Sequence, residues 1–322
     1  MRLAVVGATA TGKSDLALDL ADALGEAGLP CEIVNADASQ LYRGMDIGTA
    51  KLPVADRRGH PHHQIDVLNV VEEASVAAYQ RCARRDLEGI ERRGARGVIV
   101  GGSGLYVRAV TDALEFPGTD PQVRAELEGR AGREGTARLV RELERLDPAA
   151  AARIEPSDMR RVVRALEVIH LTGRPFTASL PRYADLVPTV HLALRIDRQA
   201  LNRRIEARTA AMFASGLVAE AESLLACGLR EGPTASRAIG YLQALAVIDG
   251  VMSVPEAVEA TAAATRKLAS RQLKWFRRDP RIHWLDVGVD AHGTWLEGER
   301  ERIVDEALGL IVRAQEGTHG VA

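Results

Sequence analysis

Lysine is nearly missing from this chain. Of its 42 basic residues, only Lys13, Lys51, Lys267 and Lys274 are lysines. Such a bias fits a genome whose base composition favours arginine, and a lysine kept in that background also marks a place where a compact ammonium is wanted and a planar guanidinium fork does not fit. The four positions therefore help to rank sites and prove none. Cysteine is scarce too. Cys31, Cys82 and Cys227 are odd in number and far apart, which excludes a disulfide framework and zinc-ligand spacing and suits a reducing compartment. A large charge of either sign is absent. The formal net charge is -2, so any nucleic-acid surface has to be a local patch and not the field of the whole molecule. No long uncharged apolar run is present, which excludes a membrane-spanning helix. The first strand-like run begins at Arg2, which leaves no room for a signal peptide. A cytoplasmic protein is the expectation. Internal repeats and low-complexity tracts are also lacking.

What remains is a chain of 322 residues, 46% hydrophobic, ample for a buried core and long enough for one large or two smaller domains. "RLAVVG" is a short apolar run ending in glycine, and "SDLALDLADAL" follows it with Leu16, Leu20 and Leu24 at helical spacing. A glycine-rich loop thus joins a strand to a helix. "CEIVNAD", "RGVIVGG" and "VHLALRID" predict three further buried strands, with helical patterns between them such as "ASVAAYQRCARRDLEGIERRG". Alternating strands and helices predict an α/β fold built on a parallel sheet. Between "FPGTDP" and "LPRYADLVP" the pattern changes to helical periods, many charges and no strand-like run. Residues 117–188 are expected to form a helical insertion in a core of residues 1–116 and 189–322. From Arg198 to about Asp279 the chain is expected to be mostly helical.

"GATATGKS" fits the phosphate-cradling pattern with Gly7, Gly12, Lys13 and Ser14. Glycines let backbone amides approach phosphate oxygens, the helix N-terminus adds positive potential, Lys13 supplies a point charge and the Ser14 hydroxyl suits Mg²⁺. A tight strand-to-helix turn would show the same glycines. The pattern leaves open ATP, GTP or another diphosphate. A nucleotide hydrolase would also offer an acid at the end of an apolar strand. "GVIVGG" ends in glycines, and Asp197 after "LALRI" reads better as a helix cap. The acid in the right place is Asp37, at the end of "EIVNAD" beside the phosphate-loop strand, suited to bind a metal or accept a proton. A turn or cap is its alternative role. Ser103 in "GGSGLY" follows another strand, where ligands collect in open α/β sheets. His60, His62 and His63 lie in "GHPHHQID" without a thiol or well-spaced acid to complete a metal set.

Two helices are basic on one side. Lys267, Arg271, Lys274 and Arg278 share a face, with Ala269, Leu273 and Phe276 opposite. Arg160, Arg161 and Arg164 project away from Val163, Leu166 and Ile169, in a helix that Ser157 would cap and Gly173 with Pro175 would close. Such stripes are either solvated faces or a polyanion track. Arg204 and Arg208, four apart, suit the gripping of phosphate oxygens.

The order of "GATATGKS", "NADASQLYRGMDIGTAK", "GHPHHQID", "VGGSGLY", "RRVVRALEV", "RRIEARTAAMFASGLVAEAE", "SRAIGY" and "RQLKWFRR" resembles that of bacterial tRNA dimethylallyltransferases, the tRNA isopentenyltransferases, from about Leu3 to Leu285. The resemblance implies a P-loop NTPase-like core with a helical insertion that contacts tRNA. It implies that the loop residues Gly7, Ala8, Thr9, Ala10, Thr11, Gly12, Lys13 and Ser14 hold the diphosphate of dimethylallyl diphosphate, with Mg²⁺ on Ser14. The prenyl group would pass to the exocyclic amine of the adenine 3′ of the anticodon, with Asp37 as general base and Ser103, Arg204 and Arg208 assisting departure of the diphosphate. It further implies tRNA contacts at Asp37, Ala38, Ser39, Gln40, Lys51 and Ser103. The insertion would add Arg124, Arg160, Arg161, Val162, Val163 and Arg164, and the C-terminal part Arg237, Lys267, Arg271, Lys274 and Arg278. The partners would be a tRNA anticodon stem-loop and dimethylallyl diphosphate, with no membrane, and the enzyme a monomer. Two departures stand out. Ala38 replaces the serine often found after the aspartate, so a hydroxyl contact is lost or moved to Ser39, and Ala8 replaces a common proline. A small-metabolite kinase, an adenylate prenyltransferase acting on free nucleotides and a non-enzymatic RNA-binding protein remain as alternatives. The kinase leaves the absent second acid and the basic stripes unexplained. The free-nucleotide enzyme needs neither the insertion nor the basic helix. The RNA-binding protein needs no such loop beside Asp37.

Overall fold

The computed structural model describes residues 1–176 and 183–319. Part of the expected "LPRYADLVP" boundary, Leu180 to Arg182, lies outside the described residues. The chain divides into two compact units, Met1–Thr111 with Asp185–Ala322, and Asp112–Ala184.

The first unit opens with β1 (Arg2–Val6) and α1 (Lys13–Glu26), then β2 (Cys31–Asn35), β3 (His62–His63) and α2 (Val76–Arg92). It continues through β4 (Arg96–Gly101) and α3 (Gly104–Thr111). After the second unit come β5 (Thr189–Arg195), α8 (Arg198–Ala214), α9 (Leu217–Leu225), α10 (Tyr241–Ile248) and α11 (Val254–Phe276). β6 (Ile282–Asp286) and α12 (Glu299–His319) complete it. The six strands form one parallel sheet in the order β3-β2-β4-β1-β5-β6. Leu3, Ala4, Val5 and Val6 are all fully buried, as expected of a central parallel strand covered on both faces. Leu16, Leu20 and Leu24 are the buried face of α1, and each contributes about 1.5–3 kcal/mol by leaving water. The sequence patterns point to β1, β2, β4 and β5. β3 and β6 are additional strands at the two edges.

Register places the loops that matter side by side. Val6 pairs with Gly101 and Asn35 with Val100, so the segments after β1, β4 and β2 leave the same carboxyl edge as neighbours. They are pressed together. A Cβ on Gly101 would lie 2.2 Å from the Ala36 carbonyl oxygen, so only glycine fits there. Asp197 caps α8 through the Gln199 and Ala200 N–H groups, as the sequence indicates. A second apolar cluster, with Tyr42, Met45, Phe213, Leu217 and Tyr241, anchors the loop after β2 onto α8, α9 and α10.

The second unit is helical: α4 (Pro121–Glu134), α5 (Thr136–Leu146), α6 (Pro148–Ala151) and α7 (Met159–Thr172). Leu127, Leu139, Leu143, Val162, Val163 and Leu166 form its core. Asp158, not Ser157, caps α7 by accepting from the Arg161 N–H, and Gly173 closes it at φ 66. Four residues with expected RNA contacts have partners within this unit. Val162 and Val163 are 1% and 3% exposed, so their side chains serve the core. Arg124 and Arg164 both donate to the buried Glu167 carboxylate, at 2.8 and 2.7 Å. Burial pushes the Glu167 carboxyl up, but the bonds from Arg124, Arg164 and the Asp120 N–H outweigh it and hold it below its ordinary range. Arg164 also donates to the Pro117 and Gly118 carbonyls. Those two guanidiniums organise the unit while staying partly exposed, at 37% and 26%. Arg160 and Arg161 stay exposed.

Candidate active site

The phosphate loop is a strained, tightly braced turn. Gly7 and Gly12 sit at φ 126 and 98, and Ala10 at φ 64, a region where alanine is uncommon. The Thr11 hydroxyl donates to the Ala8 carbonyl at 2.9 Å. Helices from far along the chain hold the loop from outside. Gln272 of α11 accepts from the Thr9 N–H at 2.9 Å, Arg208 of α8 donates to the Thr9 hydroxyl at 2.7 Å, and Arg204 donates to the Ala10 carbonyl at 2.8 Å. Arg204 also donates to the Gly293 carbonyl at 2.7 Å, so it braces two loops while lining the cavity.

Lys13 is half-buried, and its ammonium donates to the Ala8 carbonyl at 2.6 Å. Burial pushes its pKa down to about 8, against the pull of Asp37 and with help from Arg208. Burial likewise lowers Arg208, and the Asp37 carboxylate opposes that fall. Asp37 therefore acts electrostatically on both cations of the loop.

Asp37 is held from two sides. Asn35 accepts from its N–H and donates to its carbonyl, both at 3.0 Å. Its Oδ1 accepts from the Ser39 N–H at 3.0 Å and the Ser39 hydroxyl at 2.6 Å. Oδ1 thus caps the short turn Ala38–Leu41, and Asp37 lines a cavity. Ser103 accepts from the Ala38 N–H at 3.3 Å, tying the loop after β4 to the loop after β2. A cavity of about 510 Å³ has Lys13, Ser14, Asp37, Gln40, Gly101, Gly102, Arg204 and Arg208 on its wall. The sequence-expected phosphate and base residues are brought together there.

The loop after β2 is more internal than expected. The Lys51 ammonium donates to the Tyr42 carbonyl and to Asp46 and Asp66, and its side chain is 3% exposed. Through these bonds it holds the loop together. Gln40 donates to the Thr49 carbonyl at 3.1 Å. Glu220 is a residue that no sequence pattern singles out: its carboxylate accepts from the N–H groups of Asp46, Ile47 and Gly48 and from the Tyr241 hydroxyl. Burial, then the bond to Glu220, push the Tyr241 phenol far above its ordinary pKa. Also missed was the turn after β6. His292, Gly293 and Thr294 lie on the cavity wall, and Trp295 packs where a Gly12 Cβ would sit, at 3.0 Å.

Lys267, Arg271 and Lys274 are exposed on α11, while Ala269, Gln272 and Phe276 are buried. The helix ends at Phe276, so Arg278 lies beyond it and the helical stripe has three cations, not four. Arg237 is exposed in the turn Ala235–Arg237. A shallow groove of about 830 Å³, lined by Arg198, Arg266, Lys267, Lys274 and Arg277, runs between α8 and α11 without any phosphate-loop residue. The histidines pair off instead of converging: His60 with Asp22 and His63 with Glu32, both at 2.7 Å. Among the described residues no cluster of three or more His, Cys, Asp or Glu suits a metal ion, and no helix is long and apolar enough to cross a membrane.

The family model for IPP transferase matches residues 40–279. The chain is 54% identical to the tRNA dimethylallyltransferase of Mycobacterium tuberculosis over 96% of its length and 98% of the relative's. It is 56% identical to that of Kineococcus radiotolerans over 88% and 90%. The full-length tRNA isopentenylpyrophosphate transferase of Bacillus halodurans superposes with a TM-score of 0.70 at 35% identity, covering 98% of both chains. A eukaryotic dimethylallyltransferase acting on tRNA gives 0.75 at 25% identity, covering 88% of this chain and 73% of that one. With its phosphate loop and strand-end aspartate on one cavity and these likenesses along nearly its whole length, this chain belongs to the IPP transferase family, the tRNA dimethylallyltransferases.

Proposed function

We propose that this protein transfers a dimethylallyl group from dimethylallyl diphosphate to the exocyclic amine of the adenine 3′ of the anticodon in tRNA. The observation that carries the reading is the shared cavity: one wall offers loop amides, Lys13 and Arg208 to an anion, and another offers the Asp37 carboxylate to an amine. Breaking the allylic carbon–oxygen bond builds charge on the departing diphosphate. Lys13, Arg208 and the loop N–H groups meet that charge where it forms. The amine forms its carbon–nitrogen bond and passes a proton to Asp37 Oδ2, while Ser39 keeps the carboxylate from turning away. The adenine has to leave the anticodon-loop stack to reach this cavity, which single-stranded loops allow.

The donor set suits Mg²⁺ as a partner of the diphosphate. Ser14, Asp15 and Asp37 line the cavity, and this ion prefers a few protein oxygens with substrate phosphate and water completing its shell. Ser14 would hold it, and when bound it supplies charge neutralisation on the diphosphate. The free thiols of Cys31, Cys82 and Cys227 support a cytoplasmic setting.

The test is incubation with dimethylallyl diphosphate and tRNA, followed by nuclease digestion and mass analysis for prenylated adenosine. Prenylation of free adenylate but not of tRNA would favour a free-nucleotide enzyme. ATP-dependent phosphorylation without tRNA would favour a kinase.

A further inference from the structure

We propose that His292 and Thr294, carried onto the phosphate loop by the hairpin from Val289 to Trp295, are additional ligands of the diphosphate. This rests on the reading of the cavity as a diphosphate site.

The hairpin is built to hold its shape. Val289 bridges Trp295, Asp290 N–H donates to the Thr294 carbonyl at 2.8 Å, and Gly293 N–H donates to the Asp290 carbonyl at 3.1 Å. The Asp290 carboxylate accepts from the N–H groups of Thr294 and His292, at 2.9 and 2.8 Å. At its base the Gly288 N–H donates to Glu299 at 2.6 Å. Arg302, then this N–H, hold the Glu299 pKa down to about 2, so that anchor is ionised at any working pH.

It is also docked in one place. Arg204 joins it to the phosphate loop, with one guanidinium bonded to the Ala10 and Gly293 carbonyls. The fit at the dock is close: a Cβ on Gly293 would lie 2.8 Å from the Ala200 carbonyl oxygen and the Arg204 Cγ. On the other side the Trp295 ring sits against Gly12, the glycine that starts α1. Both contacts are to the residues that shape the anion cradle.

Such a dock leaves two polar side chains on the cavity wall. His292 and Thr294 are exposed and line the cavity together with Lys13, Ser14 and Arg208. An imidazole donates an N–H in either protonation state and a hydroxyl donates an O–H, so both suit phosphate oxygens. Arg204 spends two of its donors on carbonyls. The residues it positions add to the anion contacts expected of Arg204 itself.

The experiment is titration calorimetry of the full chain with inorganic pyrophosphate and Mg²⁺, and separately with dimethylallyl diphosphate, for wild type, His292→Ala, His292→Gln and Thr294→Val. We expect roughly tenfold weaker binding of both ligands for His292→Ala and for Thr294→Val, the cost of one hydrogen bond to a charged group. His292→Gln, which keeps an N–H donor, should recover most of the loss. Thermal unfolding and tRNA affinity should stay at wild-type values. If the wild type binds both ligands and the variants bind them equally well, the hairpin is a structural prop and the proposal fails while the site assignment stands. Failure of the wild type to bind either ligand overturns the site assignment, and this proposal with it.

Discussion

Gln272 accepts a hydrogen bond from the backbone N–H of Thr9 at 2.9 Å. One helix therefore supports the phosphate loop with its buried face and shows Lys267, Arg271 and Lys274 to solvent on the other. Gln272→Ala should leave the Thr9 N–H without its acceptor. Weaker dimethylallyl diphosphate binding, by about tenfold, and a stability loss of about 1–3 kcal/mol are expected. Unchanged dimethylallyl diphosphate affinity would show that the loop holds its shape without α11.

Neutralising Lys267 and Lys274 together should weaken tRNA binding and lower its logarithmic salt slope by about 1–2. Dimethylallyl diphosphate affinity should hold, because both ammonium groups lie on the face away from Gln272. A normal salt slope in the double variant would make the stripe a solvated surface and shift attention to Arg160 and Arg161.

Asp37→Asn should lower single-turnover prenyl transfer by roughly 10²–10⁴-fold with little loss of tRNA affinity. Ser39→Ala should give a smaller fall, within about tenfold, since it removes one of the two bonds that orient Oδ1 but keeps the acid. Near-normal turnover of Asp37→Asn would end the general-base assignment.

Lys13 should set a pH limit on anion binding. Its pKa in the free enzyme is pushed down to about 8, and a bound diphosphate favours the charged form. The ammonium is present below that pH and lost above it. Affinity for dimethylallyl diphosphate should therefore fall as pH rises past about 8, by at most about tenfold per unit. Near pH 8, binding should take up protons, seen calorimetrically as a dependence on buffer ionisation enthalpy. Flat affinity from pH 7 to 9.5 would contradict this.

Lys51→Met should act on stability and not directly on RNA. It leaves Asp46 and Asp66 facing each other without their shared ammonium, at a cost on the order of 2–3 kcal/mol. Denaturant midpoints should drop. A full-strength fold with a weakened tRNA complex would restore Lys51 to the RNA surface.

How much of this was legible in the sequence depended on whether the deciding partner was near in the chain. The runs "RLAVV" and "GVIVG" identify central strands because both faces are apolar. "IHWLD" does not, because an edge strand exposes His283 and Asp286. The phosphate loop and Asp37 are readable because glycine spacing and a strand end are local facts. The roles of Lys51, Arg124 and Arg164 are not, because an arginine bound for solvent and one bound for a buried carboxylate look alike until Glu167 is seen beside them. Glu220 and the hairpin escaped for the same reason. Their partners, Ile47 and Gly12, lie at the other end of the chain, and no periodicity links them.

The bond between Thr9 and Gln272 spans 263 positions, and this sets an order on synthesis. At about 5–20 residues per second, the phosphate loop leaves the ribosome tens of seconds before the helix that braces it. Arg204, Arg208 and the hairpin around Gly293 come later still than the sheet's first strands. A nascent or truncated chain that ends before α11 carries the whole glycine motif and no finished anion cradle. Fragments of this protein released early should fail to compete with the complete enzyme for the prenyl donor, since the first residues of the site to be made are the last to become competent.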